Sequence, residues 1–181
     1  KLIADIGLIG MPNAGKSTLL GHITSAKPKI ADYPFTTLVP NLGIVDLGDF
    51  TSCTIADIPG LIEGASEGKG LGLEFLKHVE RTRALVYLID VNDPAPAATL
   101  SILHQELEAY GNRLPELPFV VALNKIDLVY IELTDDSLEE ITEWTERRNG
   151  AGVHVISAVT GQGIDKLRYA MKDLYQKVMP E

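Results

Sequence analysis

The chain has 181 residues, of which 45% are hydrophobic and 23% are charged, and its formal net charge is −9. These values fit one globular domain with a sizeable core and exclude a disordered or fibrous protein. The acidic balance argues against direct binding of nucleic acid by this domain, because such binding usually needs a cluster of basic side chains.

The N-terminal sequence does not resemble a targeting signal. It begins at Lys1 and lacks the charged, apolar and small-residue regions of a signal peptide. No apolar run approaches the ~18 residues that a membrane-spanning helix requires. We therefore expect a cytoplasmic, monomeric protein without membrane contact. We also expect residues 1–181 to form a single domain that is part of a longer chain.

Six short apolar runs predict buried strands, and helical patterns separate most of them. The runs are residues 3–9, 42–47, 53–58, 84–90, 119–123 and 153–157. Apolar residues at helical spacing follow in residues 100–110, 137–148 and 164–178. Alternating strands and helices predict a three-layer α/β fold, in which a six-stranded, mostly parallel sheet has helices on both sides.

The link between the second and third runs is too short for a crossover helix. It is turn-rich, so these two strands should pair as an antiparallel hairpin at one edge of the sheet. The single cysteine, Cys53, lies in this hairpin, and we expect a buried and inert thiol.

A glycine-rich motif follows the first strand. It matches G-x-x-x-x-G-K-S/T at Gly10, Met11, Pro12, Asn13, Ala14, Gly15, Lys16 and Ser17, and Thr18 comes next. In this motif backbone N–H groups surround nucleotide phosphates, the lysine reaches the outer two, and the hydroxyl can bind Mg²⁺. A strand before it and a helix after it complete an anion site. The sequence therefore predicts a phosphate-binding loop.

Residues 31–40 connect the first helix to the second strand. Thr37 is the candidate there to give Mg²⁺ an oxygen ligand when a γ-phosphate is bound, and Thr36 is the alternative. Both threonines could instead be β-forming residues that enter a strand. Phe35, Leu38 and Val39 are the other candidate nucleotide-binding residues of this segment.

The motif D-x-x-G follows the third strand, at Asp57, Ile58, Pro59 and Gly60. A carboxylate there can reach Mg²⁺, and the N–H of Gly60 can donate a hydrogen bond to the γ-phosphate. Alone, the motif also fits a turn at the end of a strand. Its place forty residues after the phosphate loop favours a nucleotide site.

The motif N-K-x-D follows the fifth strand, at Asn124, Lys125, Ile126 and Asp127. The Asp127 carboxylate can accept two hydrogen bonds, which suits N1–H and the 2-amino group of guanine, whereas adenine has no such pair of donors. We expect Asn124 to tie the loops together and to touch the edge of the base. The stem of Lys125 should cover the face of the base.

A tripeptide follows the sixth strand, at Ser157, Ala158 and Val159. The N–H of Ala158 could donate to guanine O6, a position where adenine carries a donor. The tripeptide by itself is uninformative, because it fits an ordinary loop before a helix.

Together these motifs resemble the guanine-nucleotide-binding domain of the translation-factor-related P-loop GTPases. Residues 12–17, 27–43 and 61–65 closely resemble the Obg family, and the similarity covers about residues 3–174. The resemblance implies a P-loop GTPase fold that binds GTP, GDP and Mg²⁺. It also implies slow hydrolysis connected with assembly of the large ribosomal subunit, which the full-length protein would contact through further domains.

Leu61 occupies the position directly after D-x-x-G, where many small GTPases have a glutamine that orients the attacking water. An aliphatic side chain cannot hold that water, so we expect slow hydrolysis or another helper. Glu63 and Glu67 are nearby carboxylates, but their glycine-rich surroundings are more typical of a hinge.

Asn13 offers a second substitute for the glutamine. Related GTPases that share Pro-Asn-x-Gly-Lys-Ser can place this asparagine on K⁺, which offsets developing charge, so we expect K⁺-stimulated hydrolysis. Arg81 or Arg83 could instead act as an arginine finger, although both also suit the end of a helix. The candidate catalytic residues are Lys16, Asn13, Thr37 and Gly60, and the candidate Mg²⁺ ligands are Ser17, Thr37 and Asp57.

Two other functions stay open. A guanine-nucleotide or alarmone sensor could recruit partners with negligible turnover, which Leu61 would allow. An ATP-using P-loop enzyme is the other alternative, and Asp127 argues against it.

Overall fold

Strands and helices alternate along the chain. The computed structural model describes residues 4–25, 29–30, 41–57, 82–110, 113–128 and 134–179. The strands are β1 (Ile6–Gly10), β2 (Lys29–Ile30), β3 (Asn41–Gly48), β4 (Thr51–Asp57), β5 (Ala84–Asp90), β6 (Phe119–Asn124) and β7 (Val153–Val155). The helices are α1 (Lys16–Ile23), α2 (Pro96–Tyr110), α3 (Asp135–Arg147) and α4 (Ile164–Val178), with 3-10 turns at Leu114–Glu116 and Ile126–Leu128.

The strands form one sheet in the order β2-β3-β4-β1-β5-β6-β7. β1 pairs in parallel with β4 and β5, and β6 pairs in parallel with β5 and β7. Among the described strands only β3 runs opposite to the others, because it is antiparallel to both β2 and β4. The six predicted strands and the antiparallel hairpin are confirmed. The structure adds β2, a two-residue strand at the outer edge of β3.

Side chains alternate between the two faces of the sheet and build two cores. On β5, Leu85, Tyr87 and Ile89 pack with α2 and α3, whereas Val86 and Leu88 pack with α1 and α4. Strands that are buried on both faces read as continuous apolar runs, which is why the sequence marks them clearly. The result is the predicted three-layer arrangement of helices, sheet and helices.

The helices begin and pack as their sequences indicate. Thr134 caps α3 by accepting a hydrogen bond from the N–H of Ser137 over 3.2 Å. Trp144 of α3 is buried and donates its indole N–H to Ser101 of α2 over 2.9 Å, so it anchors one helix to the other. Among the described helices none is both long and apolar enough to cross a bilayer.

Cys53 lies in β4 and is buried in the core on the α1 and α4 side. Burial raises the pKa of its thiol to about 12, and the carboxylate of Asp5 adds to this rise. The predicted burial of Cys53 is confirmed, and a raised pKa favours the unreactive protonated thiol at neutral pH.

Candidate functional site

The carboxyl ends of four parallel strands lie together at one edge of the sheet. Ligands of open α/β sheets bind beyond this edge. Gly10 ends β1, Asp57 ends β4, Asp90 ends β5 and Asn124 ends β6. A cavity of about 500 Å³ lies at this edge. Its lining consists of Met11, Pro12, Asn13, Gly15, Lys16, Ser17, Thr18, Asp57 and Lys125. The phosphate loop, the aspartate after β4 and the lysine after β6 therefore share one cavity.

The phosphate loop needs glycine at two positions, because neighbouring atoms approach its backbone too closely for a Cβ. A Cβ on Gly10 would lie 2.8 Å from the carbonyl oxygen of Leu88. Gly15 has a φ of 100°, and a Cβ there would collide with the side-chain amide of Asn124. Asn13 also adopts a left-handed conformation, with a φ of 70°. The loop thus curves tightly before α1 begins at Lys16, and it presents the N-terminus of that helix to the cavity.

Lys16 places its charge between the loop and the aspartate. Its Nζ donates a hydrogen bond to the carbonyl oxygen of Gly10 over 2.8 Å and lies 3.9 Å from Oδ1 of Asp57. A cation held at this point is suited to the outer phosphates of a nucleotide.

Asp57 and Ser17 offer oxygen ligands for a cation. The hydroxyl of Ser17 lies 3.5 Å from Oδ2 of Asp57, and Oδ1 of Asp57 is buried without a hydrogen-bond donor. Burial raises the pKa of Asp57, while the charge of Lys16 and the hydrogen bond from Ser17 oppose that rise. A buried carboxylate oxygen that lacks a donor fits a hard divalent cation such as Mg²⁺, which prefers oxygen ligands.

A metal at this point would need ligands beyond Ser17 and Asp57, because Mg²⁺ prefers octahedral coordination by oxygen. Within the described ranges, no group of three or more His, Cys, Asp or Glu side chains is placed to hold a metal ion. Mg²⁺ takes this form of site in nucleotide-binding proteins, where phosphate oxygens and water complete its shell.

Asn124 joins the phosphate loop to the loop after β7. Its side chain is buried, its Nδ2 donates to the carbonyl oxygen of Ala14 over 2.9 Å, and its Oδ1 accepts from the N–H of Ala158 over 2.9 Å. The expected tie between the loops is present. In this structure the N–H of Ala158 is used inside the protein, so donation to guanine O6 requires that Asn124 share or release it.

Asp127 is held by Ser157, a candidate site residue for which the sequence indicated no such role. Ser157 is fully buried, and its Oγ donates to Oδ1 of Asp127 over 2.6 Å while it accepts from the N–H of Thr160 over 3.0 Å. The Asp127 side chain itself is exposed, so it can meet a ligand. The first residue of the uninformative tripeptide thus orients the carboxylate that is predicted to read the base.

The side chain of Lys125 connects the phosphate loop to the carboxyl end of β5. It has a φ of 71°, and its Nζ lies 2.6 Å from the carbonyl oxygen of Asn13 and 2.9 Å from Oδ2 of Asp90. Asp90 was missed by motif analysis, although its place at the carboxyl end of β5 could have indicated it.

The remaining predicted residues are placed as follows. Ile126 donates its N–H to the carbonyl oxygen of Ile156, and Val159 is exposed beside Ala158. Arg83 lies at the amino end of β5, the end of the sheet opposite the cavity, which disfavours the alternative that it acts as an arginine finger within this domain. The predictions for Phe35, Thr36, Thr37, Leu38, Val39, Ile58, Pro59, Gly60, Leu61, Glu63, Glu67 and Arg81 lie outside the described residues.

Comparison with known proteins agrees with this arrangement. Residues 5–125 match a sequence model of the family described as 50S ribosome-binding GTPase. The chain is 51% identical over 181 residues to GTPase Obg of Lachnoclostridium phytofermentans, covering 98% of this chain and 42% of that protein. It is 53% identical over 167 residues to GTPase Obg of Synechococcus sp. (strain RCC307), covering 92% and 49%. The chain thus spans about half the length of these relatives.

Solved structures share the fold at low sequence identity. Nucleolar GTP-binding protein 1 of Plasmodium falciparum superposes with a TM-score of 0.71 at 20% identity, over 95% of this chain and 86% of that one. A GTP-binding protein from Sulfolobus solfataricus, in complex with GDP, gives 0.70 at 21% identity over 96% and 53%. The predicted P-loop GTPase fold and the resemblance to Obg are confirmed. Because the family match covers more than half of the chain, the protein belongs to the family of 50S ribosome-binding GTPases.

Proposed function

We propose that the chain binds GTP and GDP in the cavity at the carboxyl edge of the sheet and hydrolyses GTP slowly. One observation carries this proposal: Asn124 joins the phosphate loop to the loop after β7, and Ser157 of that loop holds Asp127, whose carboxylate is suited to guanine. A site built in this way binds the phosphates and the base of one nucleotide with a single connected set of residues.

The phosphate end of the site works through charge and backbone donors. The left-handed turn at Asn13 and Gly15 directs the loop and the first N–H groups of α1 toward the cavity, where they can donate to phosphate oxygens. Lys16 supplies a positive charge that offsets the charge on the outer phosphates. These contacts bind the nucleotide and stabilise the charge that moves during transfer of the γ-phosphoryl group.

Ser17 and Asp57 would hold Mg²⁺, and Thr37 is the proposed third protein ligand. The ion would neutralise charge on the β- and γ-phosphates. The raised pKa of Asp57 supports this role, because the carboxylate is poorly stabilised by the protein alone and is suited to a cation partner. We further propose that the N–H of Gly60 donates to the γ-phosphate.

The base end of the site selects guanine. Ser157 fixes one oxygen of Asp127, so the exposed carboxylate meets the base in one orientation. Guanine presents a pair of donors to such a carboxylate, and adenine does not. The stem of Lys125, fixed at its Nζ by Asp90 and Asn13, is proposed to cover the face of the base.

Slow turnover follows from Leu61, and K⁺ is the proposed compensation. The carbonyl oxygen of Asn13 is fixed by Lys125, whereas the residue itself is exposed at the cavity. Its side chain is therefore accessible to a monovalent cation beside the phosphates. A cation there would offset the charge that develops in the transition state.

We propose that GTP binding and hydrolysis switch the chain between two states during assembly of the large ribosomal subunit. The family description and the named relatives support this role. The same partner supports the expected cytoplasmic location. A second candidate is a guanine-nucleotide or alarmone sensor with negligible turnover, and the position of Leu61 in the sequence favours it.

Multiple-turnover assays with GTP and ATP test the proposal. We expect Mg²⁺-dependent release of phosphate from GTP and little from ATP, and we expect Ser17→Ala to abolish turnover. GDP binding without turnover would support the sensor, and comparable affinities for GDP and ADP would overturn the guanine assignment. Circular dichroism of Ser17→Ala shows whether the fold is intact.

A further inference from the structure

The turn between β3 and β4 has an unusual backbone. Asp49 and Phe50 both adopt left-handed conformations, with φ of 53° and 58°, and Gly48 before them has a φ of 82°. Two-residue hairpin turns of this kind favour Asn-Gly or Asp-Gly, because a Cβ at the second position is strained. A phenylalanine therefore stands where the turn favours glycine.

The side chain of Phe50 receives no compensation from packing. It is fully exposed, the most exposed of the large apolar side chains in the described part of the chain. Both the strain and the exposure disfavour an aromatic residue at this position on stability grounds. A residue that the fold itself does not favour is a candidate for contact with a partner.

A second exposed aromatic ring lies beside the turn, across a groove. The groove has a volume of about 370 Å³ and separates the turn from helix α4, where Tyr169 lines it and is itself exposed. We name Phe50, Tyr169 and the groove carboxylates Asp46, Asp49 and Asp165 the tip patch.

The charges of the tip patch are arranged with the anions outward. Asp46, Asp49 and Asp165 are exposed. The two cations of the groove face inward: Lys172 bonds to Asp49 and its side chain is only 15% exposed, and Arg168 donates to the carbonyl oxygen of Ile23. A partner therefore meets aromatic rings within a negative rim.

The tip patch lies at the end of the sheet opposite the nucleotide. β4 begins at Thr51, directly after Phe50, and ends at Asp57 in the cavity. At about 3.3 Å per residue this strand separates the two sites by ~20 Å. A partner at the tip patch thus leaves the nucleotide cavity open.

We propose that the tip patch docks onto a protein of the large ribosomal subunit, with Phe50 entering an apolar pocket rimmed by lysine or arginine side chains. This inference rests on the proposed function. Aromatic side chains give large contact area, and opposite charges at the rim steer the encounter. Ribosomal RNA is the less suitable partner, because the exposed carboxylates of Asp46 and Asp165 would repel its phosphates.

The variant Phe50→Gly tests the proposal, because glycine suits this turn. Purified large subunits are sedimented with the chain in the presence of a non-hydrolysable GTP analogue. We expect binding to weaken about 10-fold or more, as for a central interface aromatic. The melting temperature should not fall, and GDP affinity should not change. Ile102→Ala, which removes an exposed side chain from α2, is the matched control and should bind as the wild type does.

A photo-crosslinking group identifies the partner. Phe50→benzoylphenylalanine keeps an aromatic ring at the tip, and we expect its crosslinks on a ribosomal protein. Crosslinks on RNA, or equal binding by Phe50→Gly and the wild type, would overturn the inference and leave the proposed function intact. If the wild-type chain hydrolyses GTP but does not bind large subunits, this inference fails.

Discussion

Ser157 donates its hydroxyl proton to Oδ1 of Asp127 over 2.6 Å, and Ser157 is completely buried while Asp127 is exposed. The buried serine thus fixes the orientation of a carboxylate at the protein surface. A hydrogen bond to a charged group contributes about 1.5–3 kcal/mol, so its loss should be measurable in nucleotide affinity.

Ser157→Ala should lower the affinity for GDP by about 10-fold or more, which corresponds to that energy. It should lower the affinity for IDP less, because inosine lacks the 2-amino group that Asp127 is proposed to accept from. Titration of both nucleotides by fluorescence measures the ratio. Thr160→Ala removes a neighbouring hydroxyl that bonds only within its own turn, and it serves as the control. An unchanged GDP to IDP ratio would contradict the orienting role.

Asp90→Asn should weaken nucleotide binding through Lys125. The substitution keeps the shape of the side chain but removes the charge that fixes Nζ of Lys125 at 2.9 Å. We expect the double variant with Lys125→Ala to bind GDP no more weakly than Lys125→Ala alone, because residues in one network are not additive. Asp93→Asn is the control, since Asp93 bonds to Thr99 and the N–H of Ala95 instead. Additive losses would show that Asp90 does not act through Lys125.

Asp57→Asn should raise the melting temperature of the nucleotide-free chain at neutral pH. Burial raises the pKa of Asp57, so the folded chain binds this proton more tightly than the unfolded chain does. The stability that depends on the protonated carboxyl is present at low pH and is lost as pH rises through the raised pKa. Asparagine does not ionise, so the variant avoids this loss of stability. The difference in melting temperature between the variant and the wild type should therefore shrink near pH 4.

The same variant should lose the stabilisation by Mg²⁺ and GDP that the wild type gains. Differential scanning fluorimetry with and without EDTA measures both effects. Glu139→Gln, on the exposed face of α3, should change neither of them. A lower melting temperature for Asp57→Asn at neutral pH would show that the carboxylate is stabilised by the protein alone.

Hydrolysis should be faster in KCl than in NaCl, by about 10-fold or more if the cation replaces an absent charge donor. Asn13→Ala should remove the difference and leave GDP affinity similar in both salts. Equal rates of the wild type in the two salts would exclude a potassium role for Asn13.

The parts of the site that the sequence predicted share one physical origin. Phosphate and guanine recognition depend on residue types at strand ends, and buried strands are visible as apolar runs, so Lys16, Asp57 and Asp127 could be found. Asp90 and Ser157 act on other side chains, and only the tertiary structure brings them to Lys125 and Asp127. No local pattern marks such pairs.

Two differences from the sequence predictions have equally local causes. β2 is two residues long and is defined by its pairing with β3, so no periodicity could indicate it. Arg83 directly precedes β5 and so lies at the amino end of that strand, away from the cavity.

The buried amide of Asn124 has a consequence for how nucleotide fragments bind. Its two hydrogen bonds hold the phosphate loop against the base-reading loop, and Gly15 allows that contact because it has no Cβ. Guanosine and pyrophosphate, offered separately, would each have to order both of these joined loops, whereas the intact nucleotide orders them once. The binding free energies of guanosine and pyrophosphate should therefore sum to less than the binding free energy of GDP. We attribute the difference to the link that Asn124 makes between the two loops.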